Sequence, residues 1–186
     1  MNEIDAKADF RPAQTVSLVE VLSHLEAASS APAARKSAAE PPLQFRPMLA
    51  GDAVLLELQP QQHFELGRYH SAYTLEEGAE LADNGDAWTA HRGSRIVTIA
   101  GFRELFPGHA VVWASLSSAL GADHLAISRF ARWQIENTRF RRLEAIVEAA
   151  NLRAIDWARL VGLEPVHTLR GYGPDGSDHI LFERVK

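Results

Sequence analysis

The fold turns on residues 110–162, which run AVVWASLS (110–117), SALGAD (118–123), HLAISRFARWQIENTR (124–139), RLEAIVEA (142–149) and NLRAIDWARLVG (151–162). The first piece is apolar through Val111, Val112, Trp113 and Leu116, as a strand inside a sheet is. After a turn of small residues, Leu125, Ile127, Phe130 and Ala131 recur at helical spacings, with Arg132 and Glu136 one turn apart on the wetter side. RLEAIVEA alternates, Leu143, Ala145, Val147 and Ala149 pointing one way and Arg142, Glu144 and Glu148 the other. Asn151 suits the start of a helix, Gly162 its left-handed end, and Pro165 follows shortly after. Strand, helix and strand in this order predict that 110–117 and 142–149 lie parallel in one sheet.

Working outward, Leu43 to Met48 alternates as a half-buried strand does. Gly51-Asp52 offers a helix start, with Val54, Leu55 and Leu58 following and Pro60 as the stop. A second helix is predicted over Leu75 to Ala82, ended by Asn84-Gly85. Strands 87–91, 95–105 and 110–117 form an antiparallel meander through the turns Arg92-Gly93-Ser94 and Pro107-Gly108. Downstream, Val166–Arg170 and Asp178–Val185 flank the turn-rich Gly171-Tyr172-Gly173-Pro174-Asp175-Gly176 as a hairpin. The class is α+β, a mixed and mostly antiparallel central sheet flanked by helices, spanning 43–186. Residues 29–42, SSAPAARKSAAEPP, read as an Ala/Pro-rich linker. Residues 1–28 form a tail in which Leu18, Val21, Leu22 and Leu25 share one helical face. A helix so short is marginal alone, so its stripe is expected to dock on its own domain, on a second copy of the chain or on a protein partner.

Composition narrows the function classes. With 46% hydrophobic and 23% charged residues among 186, the chain is globular, and no run approaches a bilayer span. Having no cysteine, it has no disulfide framework, no thiolate metal site and no cysteine nucleophile. Its formal charge of -5 disfavours a nucleic-acid surface, Arg139-Phe140-Arg141-Arg142 being a short basic cluster at a helix end. Eight histidines show no metal-binding spacing, His63 and His70 lying seven apart, so no metal is expected. Ser115, Ser117 and Ser118 sit in no nucleophile elbow. Trp88, Trp113, Trp133 and Trp157 are read as core residues. The expected location is cytoplasmic.

Element order and local strings resemble the GNAT superfamily of acyl-CoA-dependent N-acyltransferases over 43–186. Asn151-Leu152-Arg153-Ala154 running into Trp157-Ala158-Arg159-Leu160-Val161-Gly162-Leu163 is similar to that family's late helix, with Leu163 in place of its usual aromatic. The hairpin string Gly171–Gly176 followed by Asp178–Val185 resembles acetyltransferase-like proteins of bacteriophages, which implies host cytoplasm or a virion as the location.

The resemblance implies that acetyl-CoA lies against Leu116 and Ser117 at the end of the strand and over the turn Ser118, Gly121, Ala122 and Asp123. Asn151 would then orient the pantetheine arm or thioester. A helix N-terminus offers unpaired N–H groups and a favourable dipole to a pyrophosphate. Of the family's Q/R-x-x-G-x-G/A pattern only Gly121 is kept; Ser118 and Asp123 replace the first and last members. Asp123 is expected to cap the helix with its own carboxylate. Two like charges about 4 Å apart repel by roughly 4 kcal/mol at an effective dielectric near 20, so acetyl-CoA binding is expected to be weak or absent. The family's acid tyrosine, four residues before the terminal glycine, is replaced by Ala158. Tyr172 on the hairpin loop is the candidate acid and Glu104 the candidate base. Two readings follow: an N-acetyltransferase-like protein with a degenerate cofactor loop, or a catalytically inactive GNAT-fold structural or interaction protein, such as a bacteriophage virion component. The acceptor side would be built by the weakly patterned Gln59–Asp83.

Overall fold

The computed structural model describes residues 40–60, 62, 72–83 and 86–186. The predicted tail helix with Leu18, Val21, Leu22 and Leu25, the linker up to Ala39, and both His63 and His70 lie outside the described residues. Strand β1 (Leu43–Pro47) leads to helices α1 (Ala50–Leu55) and α2 (Leu75–Asp83). The meander β2 (Asp86–Arg92), β3 (Arg95–Phe106) and β4 (His109–Leu116) follows. After the 3-10 turn Gly121–Asp123 come α3 (His124–Asn137), β5 (Arg142–Glu148), α4 (Leu152–Leu160), β6 (Glu164–Leu169) and β7 (His179–Val185). Among the described residues, no helix is long and apolar enough to cross a membrane.

One sheet runs β1-β2-β3-β4-β5-β7-β6. Every neighbouring pair is antiparallel except β4 and β5, which are parallel as their spacing implies. That parallel pairing covers only His109–Val111 against Arg142–Glu144. At its base the carbonyl of Gly108 accepts from the N–H groups of both Arg141 and Arg142, at 2.9 and 3.0 Å. Beyond Val111 the two strands diverge, leaving a cleft between their C-terminal halves.

The sheet is covered on both faces, and sequence periodicity shows how. On one side Ile127, Ala131 and Ile135 of α3, spaced by four, pack with Ile155 and Ala158 of α4 over Ala100, Phe102, Leu143, Ala145 and Phe182. On the other, Ala53, Leu56, Leu58 and Tyr73 pack with Met48, Ile96 and Ile99. Trp88 joins the first cluster, while Trp133, read as a core residue, is 56% exposed. It stands two residues off the Ile127–Ala131–Ile135 stripe, and two helical positions turn a side chain by about 200°.

Helix starts follow the capping chemistry. Thr74 Oγ1 accepts from the Glu77 N–H at 3.2 Å and the Glu77 carboxylate accepts from the Thr74 N–H at 2.7 Å, a reciprocal pair that opens α2. The predicted end of the first helix at Pro60 is corrected. Helix α1 stops at Leu55, and Leu56 and Leu58 are buried in alternation while Val54 and Leu55 face out. Leu58 bridges Ser117 in antiparallel fashion, so this piece extends the sheet's margin instead of the helix. The run Val54-Leu55-Leu56-Glu57-Leu58 satisfies both the helical and the strand period, and only tertiary contact separates them.

Candidate functional site

The cleft edge of β4 has a defined polarity. The Ser117 N–H donates to Val97 of β3 at 2.9 Å, so strand alternation turns the backbone groups of Ala114 and Leu116 the other way, into the cleft. These groups are already bonded. The Gln62 carboxamide accepts from the Leu116 N–H at 2.7 Å and donates to the Ala114 carbonyl at 3.1 Å. The Gln59 N–H donates to the Leu116 carbonyl at 3.0 Å, and the Gln59 side chain donates to the Ser117 carbonyl at 3.1 Å. Further on, the Ser118 N–H donates to the Glu57 carbonyl at 2.9 Å.

The turn into α3 is built around Ser117. Its hydroxyl accepts from the Ala119 N–H at 3.1 Å and its carbonyl from the Leu120 N–H at 3.2 Å. Among the described residues, the N–H groups of Gly121 and Ala122 have no acceptor. Gly121 holds φ +47 with open space where a Cβ would stand, so glycine is wanted for its backbone conformation and not for lack of room.

Asp123 corrects the expectation of a self-capped helix. It makes no side-chain cap to α3. Its carboxylate instead forms a two-point pair with Arg92, Nε at 2.8 Å and Nη2 at 2.6 Å, and the residue is 7% exposed. Arg92 stands at the end of β2, and its guanidinium also donates to the Pro41 carbonyl at 2.6 Å. The Arg92 bonds outweigh burial and, with the nearby Arg95 charge, hold the Asp123 carboxyl below the ordinary carboxylate range. The Arg92 guanidinium is correspondingly raised. The negative charge that would have met a pyrophosphate is therefore paired with a neighbouring strand, and it makes no side-chain cap to α3.

The remaining candidates divide by position. Asn151 caps α4, its Oδ1 accepting from the Ala154 N–H at 3.1 Å, at the cleft end of β5. Glu104, the candidate base, stands away from the cleft end of β4. It pairs in register with Ala110, whereas Leu116 pairs with Thr98, which sets Glu104 six residues, roughly 20 Å, from the cleft end of β4. It is also bound to Arg139 at 2.9 Å, whose other arm takes Asp86 at 2.5 Å. Tyr172 sits in the β6–β7 connection, 56% exposed, its ring 5.3 Å from that of His179. Ala158 is in the core, and the Trp157 indole N–H is committed to Ser128 Oγ at 2.9 Å, fastening α4 to α3. Residues missed in the sequence are Gln59, Gln62 and Arg92, whose partners lie 58, 52 and 31 positions away along the chain, beyond intervening strands.

Comparison with solved structures assigns the architecture. An N-acetyltransferase from Staphylococcus aureus Mu50 superposes with a TM-score of 0.62 at 15% identity, covering 77% of this chain and 98% of that one. The fold is that of the GNAT N-acetyltransferases. A ribosomal-protein-alanine N-acetyltransferase from Brucella melitensis matches with a TM-score of 0.60 at 20% identity, over 77% of this chain and 99% of that one. The structure of yncA from Salmonella typhimurium with its cofactor acetyl-CoA matches with a TM-score of 0.60 at 13% identity, over 77% and 93%. No protein-family model and no curated protein sequence matches the chain.

Against an acyl-CoA, the β4–β5 cleft of this chain fits at one end. Among the described residues, the 3-10 turn leading into the 14-residue α3 offers two N–H groups without an acceptor, a glycine at positive φ, and a carboxylate already paired with Arg92. That donor set suits an anionic pyrophosphate. For the amide-bearing arm, β4 has the required chemistry, but its cleft edge is taken by Gln59 and Gln62.

Proposed function

We propose that this domain binds an acyl-CoA in the β4–β5 cleft and acts as an acyl-CoA-dependent N-acyltransferase that uses no side-chain general acid from α4. The observation carrying this reading is the open turn, where Gly121 and Ala122 present free N–H groups while Arg92 draws Asp123 aside. A bound acyl-CoA would supply an acyl group already activated as a thioester. Gly121 and Ala122 hold its phosphates, and Asn151 fixes the start of α4 across the cleft. Ala158 carries no proton to give, and Trp157 is bonded elsewhere. A neutral acceptor amine would therefore attack the thioester carbonyl, and the C–S bond would break with the thiolate leaving unprotonated. The proton shed by the nitrogen would pass to that thiolate or to solvent.

Calorimetric titration with coenzyme A and with 3′-phosphoadenosine 5′-diphosphate, which has the head but lacks the arm, tests this. Both are expected to bind, the second requiring only the turn. Gly121→Val is expected to weaken both by tenfold or more, because a branched residue resists positive φ and screens the N–H groups. Arg92→Ala is expected to weaken them by about tenfold as well, by leaving the Asp123 charge beside the turn. The double variant Arg92→Ala/Asp123→Asn should recover most of that loss. Absence of heat with either ligand would sink the reading. It would favour instead an inactive GNAT-fold interaction protein, for which Ala158 and the occupied β4 edge speak.

A further inference from the structure

We infer that Gln62 is an internal stand-in for the ligand's own amide, so that the cleft takes an amide-bearing arm only when this side chain lets go; the inference rests on the acyl-CoA reading above. A carboxamide is a planar group with a carbonyl and an N–H pair. That of Gln62 accepts from the Leu116 N–H and donates to the Ala114 carbonyl, two cleft-facing groups one strand repeat apart. Those are the two edge groups that an adjacent extended chain bonds through two successive trans amides, one supplying a carbonyl and the other an N–H, and the primary carboxamide of Gln62 satisfies both at once. The arm of an acyl-CoA and the side chain of Gln62 therefore need the same place.

The stretch is built in two parts. Glu57, Leu58 and Gln59 are the anchor: Leu58 is buried, bridges Ser117, and is flanked by backbone bonds from Ser118 to Glu57 and from Gln59 to Leu116. Gln62 is the latch. It is tied back by its N–H to the Gln59 carbonyl at 3.0 Å, is half-buried, and reaches β4 through its side chain alone. Rotating one side chain frees two edge groups, whereas freeing the rest means stripping Leu58 from the core. Apparent affinity falls in proportion to the fraction of molecules with the site open.

The test uses the full chain, with Gln62→Ala removing the latch and Gln62→Glu keeping its length while placing a carboxylate against the Ala114 carbonyl. Coenzyme A and 3′-phosphoadenosine 5′-diphosphate are titrated into each, and hydrogen exchange of the Leu116 amide is followed. Both variants are expected to bind coenzyme A roughly tenfold more tightly, with the headgroup ligand unchanged. In Gln62→Ala the Leu116 amide should exchange faster in the free protein and regain protection with coenzyme A. Headgroup binding intact with coenzyme A no tighter in either variant would overturn the latch while leaving the acyl-CoA reading in place. Failure of all chains to bind either ligand would overturn both.

Discussion

Replacing Asp52 by alanine is expected to lower the stability of the domain by about 3 kcal/mol, the cost typical of removing one partner from a buried charge network. The residue is 3% exposed and its carboxylate holds three elements at once. It accepts from Arg46 of β1 through both guanidinium arms at 2.6 Å, from the Leu49 N–H at the start of α1 at 2.8 Å, and from the Thr89 hydroxyl of β2 at 2.7 Å. Thr89 is fully buried, so its hydroxyl would be left with no replacement partner from solvent. Arg46 is part-exposed and can return to water, which keeps the figure from rising further. The sign of the pH dependence also follows. Burial pushes the Asp52 carboxyl up, but the bonds from Arg46, Leu49 and Thr89 together outweigh it and hold the group below its ordinary value. A depressed folded value means the stabilisation is fully present above the unfolded value of about 3.9 and is lost as pH falls through the folded one. Urea midpoints should therefore separate widely at neutral pH and converge as the pH drops below about 4. A difference under 1 kcal/mol at pH 7 would mean that Asp52 is not the tie described.

Gly78→Ala is expected to destabilise by about 2–3 kcal/mol, although alanine is the better helix former by about 1 kcal/mol. Gly78 lies inside α2 where that helix meets α1, and a Cβ there would stand 2.1 Å from the carbonyl oxygen of Ala50 and 3.1 Å from the Ala53 Cβ. Backbone cannot be displaced by rotating a rotamer, so the helices must part. Gly51→Ala is the control. It lies in α1 with nothing within 4 Å of the added atom and should stabilise by roughly 0.5–1 kcal/mol. If both substitutions raise the melting temperature, the helices do not approach this closely. Because the Glu57–Gln62 stretch follows directly from α1, Gly78→Ala should also loosen protection of the Leu116 amide.

The parts of this molecule that were legible in the sequence are those set by local periodicity and caps. Val111–Leu116, Ile127–Ile135 and Leu143–Val147 each carry one period, and Asn151 and Gly162 bracket α4 as their residue types imply. What was not legible involves choices among partners. Asp123 before a helix reads as a cap, yet Arg92, 31 residues earlier, offers two charge-assisted bonds where a cap offers one or two neutral donors. Glu104 looked free because the sequence cannot show Arg139 waiting 35 residues downstream, nor the register that carries β3 away from the cleft. Gln62 had no signal at all: a lone glutamine in a polar stretch acquires meaning only from the strand edge it meets.

The short parallel seam has a mechanical consequence. With β4 and β5 joined only over His109–Val111 and Arg142–Glu144, the sheet is two leaves, β1 to β4 and β5-β7-β6, bound at a spine by the Gly108 carbonyl and by the helix that crosses between them. Strain applied to the domain concentrates at the spine, since each leaf is internally knit by longer antiparallel ladders. The leaves should thus come apart before either one frays, giving two cooperative exchange units whose boundary falls between Leu116 and Arg142. Anything seated between the leaves works as a rivet, adding stiffness where the sheet has least of its own.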